Sequence, residues 1–185
     1  MKLYFTIIGI AMAIISIINI AFQTATPLYV IICVIWCTAL QFILDGSVAT
    51  LIKLTPNRWY GINNKHFELT DTEKRIHKFF KVKLWKDKVL ELGGLGGFSK
   101  KELKQPDSPE YIEKFIIECN KGVVTHRISY FIGFLATLTV FNVCRLTIAI
   151  PVAVVNLFLN ILPTMVLRYN TPKLKSLLYF LNKKT

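Results

Sequence analysis

Apolar residues fall in four long runs that almost nothing ionisable interrupts. From Leu3 to Phe22 only Thr6, Ser16 and Asn19 are neither apolar nor small. The second run, Pro27 to Leu44, is broken by Thr38 and Gln41 alone. A third extends from Ile128 to Cys144, and beyond Arg145 a fourth goes from Leu146 to Leu167. As helices, runs of this length match a hydrocarbon core of roughly 30 Å. No stretch from Lys53 to Arg127 does. The pattern predicts an all-α integral membrane protein, with four transmembrane helices in two hairpins and a basic cytoplasmic helical segment between them. The chain then divides into a first hairpin (1–52), a basic cytoplasmic or interfacial segment (53–127), a second hairpin (128–167) and a basic cytoplasmic tail (168–185). The first run has Lys2 in front and Ala21 and Ala25 near its end, as a signal peptide would. Its apolar core is longer than a signal needs, and the short link Gln23 to Thr26 reads as a hairpin turn.

Composition supports the membrane. Of 185 residues, 53% are hydrophobic and only 18% charged, and the mean hydropathy is +0.46. A soluble domain of this size has too little interior to hide that much apolar side chain. Disorder is excluded for the same reason. Three of the four cysteines (Cys33, Cys37, Cys119 and Cys144) lie in the apolar runs, which is not the pattern of a disulfide-stapled scaffold.

The formal net charge is +12, and its placement sets the orientation. Before Lys53 only Lys2 and Asp45 are charged, and most of the Lys and Arg falls between Lys53 and Arg127. The positive-inside rule puts that segment and both termini in the cytoplasm of a multi-pass cell-membrane protein. The basic residues alternate with Phe, Trp and Leu beside membrane spans, so anionic lipid, not nucleic acid, is the expected counter-charge.

Within the central segment, Thr70-Asp71-Thr72-Glu73 has capping-box spacing. Lys74 to Leu92 is a basic, aromatic-rich amphipathic stretch suited to the headgroup plane or to a small cytosolic core. The following Gly93 to Lys101 loop fits neither phosphate-binding fingerprint and reads as a flexible connection. Ser108-Pro109-Glu110 starts a helix. Its apolar face is Ile112, Phe115, Ile116, Cys119 and Val123, and it leads into the third run.

Two hairpins would bring His126, Arg168, Tyr169 and Asn170 to one level at the cytoplasmic edge. An imidazole is a general base near neutral pH, and a guanidinium can hold an oxyanion. The same residue types are also ordinary interfacial anchors. Glu118 lies about 12 Å from His126 along an ideal helix axis, too far for a direct dyad.

Three segments resemble one family. Lys83-Leu84-Trp85-Lys86-Asp87-Lys88, with Gly97-Phe98-Ser99-Lys100 after it, resembles a basic motif and loop. Ile112 to Glu118, ending at His126, resembles a juxtamembrane helix, and Arg168-Tyr169-Asn170-Thr171-Pro172-Lys173-Leu174 resembles a carboxyl-terminal motif. The family is that of the glycosyl-4,4'-diaponeurosporenoate acyltransferases of staphyloxanthin-type carotenoid synthesis. The resemblance implies transfer of a fatty acyl group to a hydroxyl of a glycosylated lipid, here a glycosyl-carotenoid. It carries over Trp85, Lys86, Asp87, Glu118, His126, Arg168, Asn170 and Pro172; the expected catalytic residues are His126, Arg168 and Glu118, and the expected substrate-binding residues are Trp85, Lys86, Asp87, Asn170 and, from the loop, Lys100. No metal or resident cofactor is implied. The partners would be membrane lipid, the glycosylated acceptor and an acyl donor, for which a thioester such as acyl-CoA is the candidate. The chain departs from the pattern at Val123, where the family usually has an acid, and at Arg127, Thr171 and Lys173. The absent acid favours a rival reading, a non-catalytic lipid-binding or membrane-assembly protein. A transporter would need facing polar residues inside the spans, and Asn142, Asn156 and Asn160 are the candidates.

Overall fold

The computed structural model describes residues 2–89 and 103–184. The glycine loop, Lys100 and the end of the amphipathic stretch at Leu90 to Leu92 lie outside the described residues. Among the described residues the protein is all-helical. Its α-helices are α1 (Lys2–Ala21), α2 (Pro27–Leu54), α3 (Asp71–Phe79), α4 (Val82–Trp85), α5 (Pro109–Ile132) and α6 (Ile150–Lys184). The chain forms two compact units: Met1–Thr50 with His126–Ile161, and Leu51–Thr125 with Leu162–Thr185.

Among the described residues three helices, not four, are long and apolar enough to cross a bilayer: Tyr4–Ala21, Pro27–Leu54 and Arg145–Lys184. The third apolar run is the exception, so the expected pair of transmembrane hairpins is not formed. Regular α-structure ends at Ile132, and a 3₁₀ segment occupies Gly133–Thr139. Val140 is extended, and Asn142 has φ 56°. Hydropathy measures the apolarity of this run but not its weak helix formers. Gly133, Thr137, Thr139 and Asn142 all fall within twelve residues. Thr137 and Thr139 turn their hydroxyls on the carbonyls three residues back, and the Gln41 amide donates to the Gly133 carbonyl at 2.8 Å. These side chains satisfy backbone groups that an α-helix would satisfy itself. The run accompanies α2 in short pieces: Thr139 accepts from Trp36, and Val140 and Cys144 join Val30, Cys33, Val34 and Cys37 in one cluster.

The first unit is apolar outside and holds polar side chains within its apolar core. Ile10, Ile14, Ile17, Leu28, Ile32 and Ile35 are exposed, whereas Asn19, Gln41, Ser129, Asn156 and Asn160 are buried. Lipid solvates the outer face. Inside, helices gain from close packing and from hydrogen bonds between polar side chains. The buried positions of α2 (Val30, Cys33, Val34, Cys37, Gln41 and Val48) follow helical spacing and define the stripe turned to protein. All four cysteines are buried, and none forms a disulfide among the described residues.

The second unit is a small helical core. The face foreseen on α5 is real: Ile112, Phe115, Ile116 and Cys119 pack against Leu174 and Leu178 of α6. Ser108 caps α5 by accepting from the Tyr111 amide. The Thr70–Glu73 capping box is also formed, with both reciprocal bonds present. The amphipathic stretch, however, is not one helix. It breaks after α3 at Lys81, whose left-handed φ of 49° starts the short α4. A 3₁₀ turn, Lys86–Lys88, follows.

Candidate active site

In the first unit three helices each contribute polar side chains at intervals that put them on one face. Gln41 and Asp45 lie four apart on α2, and Asn156 and Asn160 lie four apart on α6. His126 comes from α5. Their bonds form a chain. His126 Nδ1 lies 2.7 Å from Asn160 Oδ1. Asn160 Nδ2 donates to Asp45 Oδ2 at 3.1 Å, and Asn156 Nδ2 approaches Asp45 Oδ1 at 3.4 Å. Asn160 Nδ2 also lies 3.1 Å from the Asn156 carbonyl and 3.2 Å from its side-chain oxygen. Tyr4 of α1 donates its hydroxyl to the carbonyl of Leu159.

Gly133 closes this cluster. A Cβ there would stand 2.6 Å from Gln41 Oε1 and 2.9 Å from Asn156 Nδ2. Only glycine lets the backbone at the start of the 3₁₀ segment come this near. Gln41 Oε1 is buried and has no hydrogen-bond partner among the described residues.

The second unit holds Arg168, which is not a free cation. Its Nε donates to Glu73 Oε1 at 2.9 Å, and one terminal nitrogen donates to Glu73 Oε2 and to the Glu68 carbonyl. Arg168 is 4% exposed. Burial alone would raise the Glu73 pKa. The hydrogen bond and charge of Arg168, with the Thr70 bonds, outweigh it and pull the carboxyl down to about 2. His77 sits edge-on to Tyr169 with ring centroids 5.9 Å apart, and burial lowers its pKa below the ordinary value.

The other residues marked by the sequence have these settings. Trp85 Nε1 donates to the Phe80 carbonyl, and Lys86 pairs with its neighbour Asp87 at 2.7 Å. Glu118 and Asn170 are partly buried, on α5 and α6 respectively. Arg168 and His126 fall in different units, each with its own partners. Sequence reasoning missed Asp45 and Gln41 as members of a site and weighed Asn156 and Asn160 only as transporter residues. The signal was there, as two i,i+4 polar pairs inside otherwise apolar helices.

The sequence profile described as glycosyl-4,4'-diaponeurosporenoate acyltransferase matches residues 56–179. That stretch contains His126, Asn156, Asn160 and Arg168 but not Gln41 or Asp45. No significant match was found among curated proteins or solved structures.

Proposed function

Because the chain belongs to the glycosyl-4,4'-diaponeurosporenoate acyltransferase family, we propose that it moves a fatty acyl group from a thioester donor to a hydroxyl of a glycosylated lipid. The family's name points to a glycosyl-carotenoid as the acceptor. The protein is a multi-pass membrane protein, so both lipid substrates enter from the bilayer. Their confinement there supplies proximity.

In this reading His126 is the general base. It takes the proton of the acceptor hydroxyl, and the oxygen attacks the thioester carbonyl. The tetrahedral adduct collapses, a C–O bond replaces the C–S bond, and the imidazolium returns its proton to the departing thiolate. The observation that carries the assignment is the seating of His126 Nδ1 on Asn160, 2.7 Å away, inside a polar cluster within apolar helices. Ionisable and polar groups packed among membrane-spanning helices are costly and mark function.

Arg168 we assign to holding the α3 segment, because its charge is already balanced by Glu73. Trp85, Lys86, Asp87, Glu118, Asn170 and Lys100 are assigned to capturing the donor and the sugar. The basic residues of the second unit are placed in the cytoplasm on their charge. The rival reading, a non-catalytic lipid-binding protein, drew on the valine at position 123. In the catalytic reading the carboxylate of Asp45, two hydrogen bonds from His126, serves in place of that acid.

The test is acyl transfer by purified protein in lipid nanodiscs, with radiolabelled acyl-CoA and a glycosylated carotenoid. Wild-type protein should form the acyl ester, and His126→Ala should lose about a hundredfold or more. Full activity in a folded His126→Ala protein would end the assignment.

A further inference from the structure

A general base needs one ring nitrogen unprotonated in the neutral state, and hydrogen bonding at the other nitrogen decides which one. An ionised Asp45 only accepts. The nitrogen of the Asn160 amide therefore faces Asp45, and it does so at 3.1 Å. The same nitrogen also faces both oxygens of Asn156. The amide oxygen is left for His126, and an amide oxygen cannot donate. The hydrogen in the 2.7 Å contact must then sit on His126 Nδ1. Nε2 carries the lone pair.

We propose that Asp45 is a positioning residue which, acting through Asn160, fixes His126 in the Nδ1–H tautomer and so leaves Nε2 as the base. The inference rests on the reading of His126 as general base, and it adds a residue from α2 that lies outside the family-matched stretch. No carboxylate precedes His126 by one turn on its own helix, where Val123 is fully buried. Asp45 supplies that charge from another helix, with an amide between. Tyr4 of α1 also lies within electrostatic reach of Asp45. Asn156 faces it from α6.

Asp45→Asn keeps the shape and removes the charge. An amide at position 45 can either donate or accept, so of these partners only the Asn156 oxygens still favour an N–H from Asn160, and the hold on its orientation weakens. The other orientation presents an N–H to His126 Nδ1 and moves the ring proton to Nε2. The experiment uses full-length protein labelled with [¹⁵N]histidine in nanodiscs. The signals of the three histidines are assigned by substituting His66, His77 and His126 in turn. Wild-type His126 should show the neutral Nδ1–H pattern. Asp45→Asn should shift it toward Nε2–H, lower kcat about a hundredfold with little change in KM, and alter the acid limb of the pH–rate profile. Asp45→Glu should restore part of both signals. A His126 tautomer unchanged in Asp45→Asn, or full activity in that variant, overturns the proposal. The base assignment fails separately, through unimpaired transfer by His126→Ala, and that result leaves the tautomer measurement standing.

Discussion

Glu73 binds Arg168 through both carboxylate oxygens while one of them also caps its own helix at the Thr70 amide. One carboxylate thus ties the start of α3 to α6. Removing it strands a guanidinium that is 4% exposed. A wholly buried pair broken in this way costs about 3–5 kcal/mol. Glu73 keeps 24% of its side-chain surface in water, so Glu73→Gln should cost nearer 2 kcal/mol on the same scale. Thermal unfolding in nanodiscs would measure it.

The same pair makes the second unit acid-sensitive. The folded-state pKa of Glu73 is about 2, below its ordinary 4.5. The unfolded chain therefore binds the proton more readily. Stability from this group is complete above pH 4.5 and drains away as pH falls toward 2. His77 adds to the effect from a higher pH. Its folded pKa lies below the ordinary 6.5, so its contribution starts to fade once the pH drops under that value. Unfolding followed from pH 7 to pH 2 should show the midpoint falling in both ranges. In Glu73→Gln the lower one should largely disappear.

Gly133→Ala should be damaging although it adds one methyl group. The new Cβ would meet Gln41 Oε1 at 2.6 Å and Asn156 Nδ2 at 2.9 Å. Both are ends of flexible side chains, but neither is idle. Gln41 donates to the Gly133 carbonyl, and Asn156 approaches Asp45. Overpacking of this kind costs about 1–3 kcal/mol. The expected result is a lower unfolding midpoint and reduced transfer. Shortening the clashing partner, as Gly133→Ala with Gln41→Ala, should recover part of the midpoint.

The helices of both units were largely legible in the sequence, because apolar spacing sets which face is buried. The α5 stripe from Ile112 to Cys119, the Ser108 cap and the Thr70–Glu73 box all formed where the pattern put them. The break at Gly133 was not legible. It depends on Gln41 and Asn156, more than twenty residues away in either direction, coming to its backbone. The partners that His126 and Arg168 take within their own units, Asn160 and Glu73, were likewise not legible from spacing. Glu73 had a local role as a cap, and nothing local showed that it would also hold Arg168.

Asn19 tests how much polar contacts inside the first unit contribute. It is 1% exposed, and its amide donates to the carbonyls of Ile15 and Thr147 at 2.8 and 2.9 Å. Its oxygen accepts from the Thr24 hydroxyl. Asn19→Leu keeps the branched outline of the side chain but removes the link to Thr147. Interhelical hydrogen bonds in membranes contribute about 0.6 kcal/mol on average and about 1.7 at most. Thr24 loses one of its two acceptors and keeps the Asn19 backbone carbonyl, so the expected loss is about 1 kcal/mol, read from the unfolding midpoint in nanodiscs. No loss would mean that the amide is replaceable by packing.

Orientation can be tested with the cysteines already in the chain left in place. All four are buried, so a membrane-impermeant maleimide should react with an added surface thiol first. Phe22 in the α1–α2 turn is 78% exposed, and Lys65 and Lys183 are exposed in the second unit. If the basic segment and tail are cytoplasmic, Lys65→Cys and Lys183→Cys should label only after cells are opened. Phe22→Cys should label in intact cells. The Glu73–Arg168 tie requires Lys65 and Lys183 to behave alike, since it binds the segment carrying one to the helix carrying the other. Labelling of Lys65→Cys in intact cells would reverse the assigned orientation. Opposite behaviour of Lys65→Cys and Lys183→Cys would mean that the ion pair does not hold in the membrane.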